Sequence, residues 1–132
     1  MLKVDPMALL KAAAAAAEKA HAPYSKFHVG AAALAADGTI FLGCNVENAS
    51  FGLTNCAERT ALFTAIAAGR KEFVAMAVVA GGEQIPYPCG ACRQVMAEFC
   101  KAGMPVFVAS IGSLEKFQQM TLGELLPKTF RF

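Results

Sequence analysis

The sequence has no tryptophan, only two histidines and little charge, with Asp, Glu, Lys and Arg making up 17% of its 132 residues. No Lys/Arg run stands out and the formal net charge is +2. Charge therefore argues against nucleic acid or a membrane surface as a partner. The missing tryptophan also counts against a groove that binds a strand by stacking its bases. No uninterrupted apolar stretch is long enough to span a bilayer. The run Ala12 to Ala17 is short and lies between Lys11 and Glu18-Lys19, unlike a signal peptide. Linkers, internal repeats and long polar tails are lacking too, and the length suits one domain, 1–132, with one real core. The five cysteines are an odd number, and three sit at metal spacing, which fits a reducing cytoplasmic setting better than a disulfide framework. Apolar residues are abundant, at 56%. So little charge cannot cover so much apolar side chain on a small protein, and self-association is expected to bury the surplus.

Asp5 and Pro6 predict a helix start, followed by strong helix formers from Met7 to Ala20. Phe27 to Leu34 and Thr39 to Val46 read as two strands joined by the turn Ala36-Asp37-Gly38. Asn55 is placed to cap a helix from about Cys56 to Ala68, which Gly69 ends. Phe73 to Ala80 and Val106 to Ala109 read as buried strands. Between them a helix runs from about Gly90 to Lys101, and Thr121 to Leu126 forms a short last helix. Strands and helices alternate after a leading hairpin, which predicts an α/β fold: a mixed sheet with helices on both faces.

The chemistry is concentrated in Cys56-Ala57-Glu58 and Pro88-Cys89-Gly90-Ala91-Cys92. Thiolates are strong zinc ligands, and a catalytic zinc takes three protein ligands and keeps one position open. Cys89 and Cys92, three apart at a helix start, can grip one ion, and the positive end of a helix favours the thiolate form. Glu58, two residues after Cys56, is placed to move protons rather than to act as an equivalent ligand. This is the cysteine-ligated zinc-deaminase signature, in which activated water attacks an aminated ring. Zinc would lower the pKa of its water from about 16 toward 7. Three thiolates weaken that effect, and Arg59 could counter it by donating hydrogen bonds to sulfur. A surface or interface ion pair is the competing reading of Arg59.

Other readings of the cysteines remain open at this stage. A Cys-x-x-Cys pair alone often marks a structural zinc or a redox dithiol. A closed structural site would need Cys44, Cys100, His21 or His28 as fourth ligand, none at a compelling spacing, and a dithiol has no need of Cys56-Ala57-Glu58. Cys44 and Cys100 read as small buried hydrophobes.

The segment Gly43-Cys44-Asn45-Val46-Glu47-Asn48-Ala49-Ser50-Phe51-Gly52-Leu53-Thr54-Asn55-Cys56-Ala57-Glu58-Arg59-Thr60-Ala61 resembles the short, homotetrameric, zinc-dependent class of cytidine deaminases. Pro88 to Val95 and Ala22 to Ala32 resemble it as well, and the likeness runs over nearly the whole chain. It implies a three-layer α/β/α sandwich around a mixed five-stranded sheet. It implies hydrolysis of cytidine and 2′-deoxycytidine to the uridines with release of ammonia. The implied cofactor is one Zn2+ per subunit on Cys56, Cys89 and Cys92, with Glu58 as proton shuttle. The family's ribose-binding pair falls on Asn45 and Glu47, whose alternation would put both side chains on one strand face. Phe27 matches an aromatic that packs near the pyrimidine, and Phe51 and Phe130 match aromatics contributed across subunit interfaces, where the active sites would lie. The backbone N–H groups of Ala57 and Cys89 are helix-start donors for the base or the attacking oxygen. His28 and Tyr87 depart from the family pattern, and Gly81 to Pro86 has no clear counterpart. Deaminases of the antibiotic blasticidin S, polynucleotide-editing deaminases and a catalytically dead zinc scaffold are the alternatives. Asn45 and Glu47, the cysteine first ligand and the retained Glu58 count against them in turn.

Overall fold

The computed structural model describes residues 3–132. Asp5 accepts a hydrogen bond from the Ala8 N–H, and Pro6 opens helix α1 (Pro6–Ala17), which buries Leu9, Leu10 and Ala13. The helix stops three residues short of Ala20. A hairpin follows: β1 (Val29–Ala35) pairs antiparallel with β2 (Ile40–Cys44). Both strands are shorter than their sequence patterns. β1 starts at Val29 rather than Phe27, and beyond Cys44 the chain leaves the ladder, with Val46 making only single bridges to His21 and Asn55. Helix α2 (Ala57–Ala67), strand β3 (Phe73–Ala80), helix α3 (Gly90–Phe99), strands β4 (Pro105–Ser110) and β5 (Gln118–Thr121), and the single turn α4 (Leu122–Leu125) complete the order.

The sheet runs β2-β1-β3-β4-β5. Only β3 and β4 are parallel, and the other pairs are antiparallel. β5 is the element that sequence patterning did not mark. Gln118 and Gln119 are exposed on this edge strand, so no apolar alternation betrays it.

Alternate residues of the central strands feed two cores, because successive side chains on a strand point to opposite faces. Ala32, Leu34, Ala77, Val79 and Phe107 pack under α1, and Ala31, Ala33, Met76, Val78, Val106 and Val108 pack under α2 and α3. The result is the three-layer α/β/α sandwich expected from the sequence. α2 ends on Gly69, which has φ +89°. The N–H groups of Gly69 and Arg70 donate back to Ile66 and Ala65. Glycine enters that left-handed conformation without steric penalty and closes the helix end.

Small residues set the spacing between the layers. A Cβ at Gly43 would stand 2.3 Å from the Ala61 nitrogen and 2.4 Å from the Ala57 oxygen, both in the backbone of α2. That backbone carries Glu58, so Gly43→Ala must lift the helix that presents the site. The expected result is a loss of about 3 kcal/mol of stability, read as a fall in Tm, together with reduced activity. Gly103→Ala, where nothing lies within 4 Å, should leave both unchanged.

Candidate active site

The two cysteine motifs sit where α2 and α3 begin. Cys56 is the N-cap of α2, with extended backbone and no capping bond from its side chain. Asn55, expected from its residue type to cap this helix, does not. It bridges to Val46 through backbone bonds, and its Nδ2 donates to Thr60 Oγ1 at 3.0 Å. The position next to the helix is thereby given to a sulfur that faces inward. Cys89 caps α3, its Sγ accepting from the Cys92 N–H at 3.4 Å.

Cys56 Sγ lies 3.8 Å from Cys89 Sγ, which lies 3.3 Å from Cys92 Sγ. All three thiols are within 4.8 Å of one another. Zinc–sulfur bonds of about 2.3 Å at tetrahedral angles put ligand sulfurs about 3.8 Å apart, so the cluster fits a zinc ion. Among the described residues no fourth His, Cys, Asp or Glu joins it. Cys100 is buried in the core at the C-terminal end of α3, where burial pushes its thiol up to about 12. Cys44 lies apart, its sulfur 3.5 Å from the Lys19 carbonyl. Three protein ligands leave one position for a reactant.

Without metal the cluster holds its negative charge unevenly. The Cys56 thiol is lowered to about 5, first by its hydrogen bond with Cys92 and then by the Arg59 guanidinium. Cys92 is raised far above the ordinary thiol range by the same bond and by burial. Arg59 Nη2 donates to Cys56 Sγ at 3.2 Å, so this guanidinium faces sulfur rather than a surface carboxylate.

Glu58 is 4% exposed. Burial, reinforced by the negative charge on Cys56, raises its carboxyl from 4.5 to about 7. Burial in low dielectric penalises the charged form of a carboxyl group. A group poised there can accept and return a proton at neutral pH.

The cluster opens on a pocket of about 320 Å³ whose walls include Phe27, Asn45, Glu47, Ala57, Glu58 and Tyr87. Asn45 and Glu47 lie past the end of β2 rather than on a strand face, yet both reach this pocket. Asn45 is buried, not an exposed polar strand end. Its Oδ1 accepts from the Val29 N–H at 2.9 Å and its Nδ2 donates to the Phe27 carbonyl at 2.7 Å. Glu47 accepts from the Tyr24 and Ser25 N–H groups at 3.0 and 3.1 Å, and from the Ser25 hydroxyl. The Ser25 hydroxyl is the leading cause holding this carboxyl below its usual range.

Phe51 stands outside this pocket, 73% exposed and edge-on to Tyr24. Phe130 is 67% exposed and meets Phe132 edge-on, away from the pocket. The His28 side chain is not part of the pocket wall. Ser25, Thr54 and Pro86, which also line it, were not singled out from sequence. Ser25 could have been flagged only through its place in the segment Ala22 to Ala32.

An open three-thiolate site beside a buried carboxyl, at the helix starts of a mixed α/β sheet, defines a zinc-dependent hydrolase. The model of the cytidine and deoxycytidylate deaminase zinc-binding region matches residues 4–108, and the chain belongs to that family. It is 52% identical over 127 residues to the cytidine deaminase of Halalkalibacterium halodurans, covering 96% of this chain and 95% of that one. The 1.6 Å crystal structure of cytidine deaminase from Burkholderia pseudomallei superposes with a TM-score of 0.90 at 51% identity, over 96% of this chain and all of that one. The cytidine deaminase structure from Mycobacterium tuberculosis gives 0.84 at 39% identity, over 98% of this chain and all of that one.

Proposed function

We propose that this chain, as one catalytic domain, hydrolyses cytidine and 2′-deoxycytidine to uridine and 2′-deoxyuridine with release of ammonia. The observation that carries the reading is Glu58, buried and raised to about 7, beside three thiols at zinc-ligand spacing. Cys56, Cys89 and Cys92 would hold the zinc. When bound, the ion supplies Lewis acidity that makes water a nucleophile near neutral pH. Glu58 accepts a proton from the attacking water and passes it to the ring nitrogen beside the reacting carbon. It then takes the remaining proton of the added hydroxyl and gives it to the departing amine, so that the carbon–nitrogen bond breaks, ammonia leaves and the hydroxyl becomes the carbonyl. The N–H groups of Ala57 and Cys89 are donors for the base or the developing oxyanion, and Phe27 packs against the pyrimidine ring. Asn45 and Glu47 bind the sugar. Their present bonds leave one N–H and further carboxylate lone pairs free for hydroxyl groups. Arg59 withdraws charge from the Cys56 sulfur.

The pocket wall has no Lys, Arg or His among its described residues. A 5′-phosphate there would meet the Glu47 carboxylate with no cation to pair it, which favours a nucleoside over a nucleotide. The exposed Phe51, Leu53 and Phe130 support a homotetramer in which Phe51 and Phe130 reach a neighbouring subunit's site. Among the described residues no helix is long and apolar enough to cross a membrane, and we assign the enzyme to the cytoplasm on its five unpaired cysteines.

The test is the ultraviolet absorbance change of cytidine with the zinc-loaded protein, run beside cytidine 5′-phosphate, blasticidin S and a short cytosine-containing single strand. Loss of absorbance with cytidine alone is expected. Turnover of another substrate but not cytidine would keep the zinc and Glu58 chemistry and overturn the roles of Asn45 and Glu47.

A further inference from the structure

Arg93 follows Cys92 in the first turn of α3, but its side chain leaves the thiol cluster and ties two other segments together. Its Nε donates to the Pro88 carbonyl at 2.7 Å, and its Nη1 donates to the Leu125 carbonyl at 2.7 Å. Its own N–H makes the helical bond to the Cys89 carbonyl at 3.0 Å. One planar fork thus meets two carbonyls from segments more than thirty residues apart, which the point charge of lysine cannot do in the same way. Leu125 is the last residue of α4, so its carbonyl has no helical partner and needs an outside donor.

The bond to Pro88 matters because Pro88 immediately precedes the ligand Cys89 and is fully buried. No described peptide bond is cis, and in a trans peptide the C=O and the following N–H point in opposite directions. Gripping the Pro88 oxygen therefore sets the plane of the Pro88–Cys89 peptide, and with it the direction of the Cys89 N–H and the start of the Cys89 side chain. Cys89 is the most exposed of the three cluster thiols, so core packing does least to hold it.

We propose that Arg93 is a positioning residue for Cys89: through the Pro88 carbonyl, braced against α4, it holds that thiolate in zinc-binding geometry. This rests on the reading of Cys56, Cys89 and Cys92 as the zinc ligands. Arg131 provides an internal comparison. It also anchors the C-terminal segment to α3, donating to the Ala97 and Cys100 carbonyls, but at the end of the helix far from the thiols.

The experiment measures how fast a chromophoric chelator strips zinc from folded protein, with circular dichroism as the check on folding. Arg93→Ala is expected to release zinc about tenfold faster or more, the scale on which groups that orient ligands act. Arg93→Lys, the milder change, should fall between Arg93→Ala and the unaltered chain, and it gives the same reading if Arg93→Ala does not fold. Arg131→Ala should lower Tm but leave the stripping rate unchanged. Stripping rates within twofold of the unaltered chain for the Arg93 variants would overturn the assignment. So would an equal acceleration by Arg131→Ala, which would mean that general loosening is enough. An unaltered chain that takes up no zinc would instead overturn the ligand reading on which the proposal stands.

Discussion

Glu58→Gln is expected to lower turnover of cytidine by about 10⁴-fold, near the upper end of what general acid–base catalysis supplies, while about one zinc per chain remains bound. The amide keeps the size and one hydrogen-bonding oxygen but cannot take a proton from water or hand it on. The variant should differ in stability as well. In the metal-free fold the Glu58 carboxyl is raised from 4.5 to about 7, so its protonated form is favoured in the native state. Below about pH 4.5 the group is neutral both folded and unfolded, and it contributes no penalty. As the pH rises to 7 the unfolded chain gains by ionising, and the fold is weakened by about 3 kcal/mol, a level it keeps at higher pH. Metal-free Glu58→Gln lacks this penalty. Denaturant unfolding should show it more stable than the metal-free parent above pH 7, with the difference fading toward pH 4.5. Wild-type turnover in Glu58→Gln would remove the proton-shuttle role altogether.

Cys92→Ala is expected to abolish both zinc retention and activity. Cys92 is fully buried, and its sulfur touches Cys89 Sγ and shares a hydrogen bond with Cys56. Its loss leaves two ligands and a gap where the third should be. Metal analysis should find well under one zinc per chain, and added zinc should not restore turnover. The parent chain stripped by a chelator should lose activity and regain it with zinc. Zinc binds the folded site more tightly than the unfolded cysteines, so ion at about a thousand times its Kd should stabilise the parent by up to about 4 kcal/mol. The variant should show no such rise in Tm.

How much of this was legible before folding depends on the residue. The two cysteine motifs are local: helix starts and a spacing of three put Cys89 and Cys92 together whatever the rest of the chain does. The strands β1, β3 and β4 announce themselves by apolar runs. β5 does not, because an edge strand with exposed glutamines carries no hydrophobic period. The Asn55 cap expectation failed because the same amide has a better partner in Thr60 once α2 packs. Asn45 and Glu47 were assigned to one strand face by alternation. They share a pocket because the chain turns out of the sheet after Cys44 and meets Val29, Phe27 and Ser25.

The sequence by itself determined the chemistry available: three thiols, one carboxyl two residues from the first, an α/β alternation, and too little charge to suit a polyanion. Those follow from residue type and local spacing, which need no distant contact. Only the tertiary structure decided that Cys56 meets Cys89 across thirty-three residues, and that Glu58 is buried in the wall of the pocket. It also decided that Arg93 reaches both Pro88 and Leu125. The first two depend on how closely α2 and α3 pack on one sheet face, and glycine at Gly43 together with the alternating small side chains of β1 allows α2 that approach. The third depends on α4 folding back beside α3.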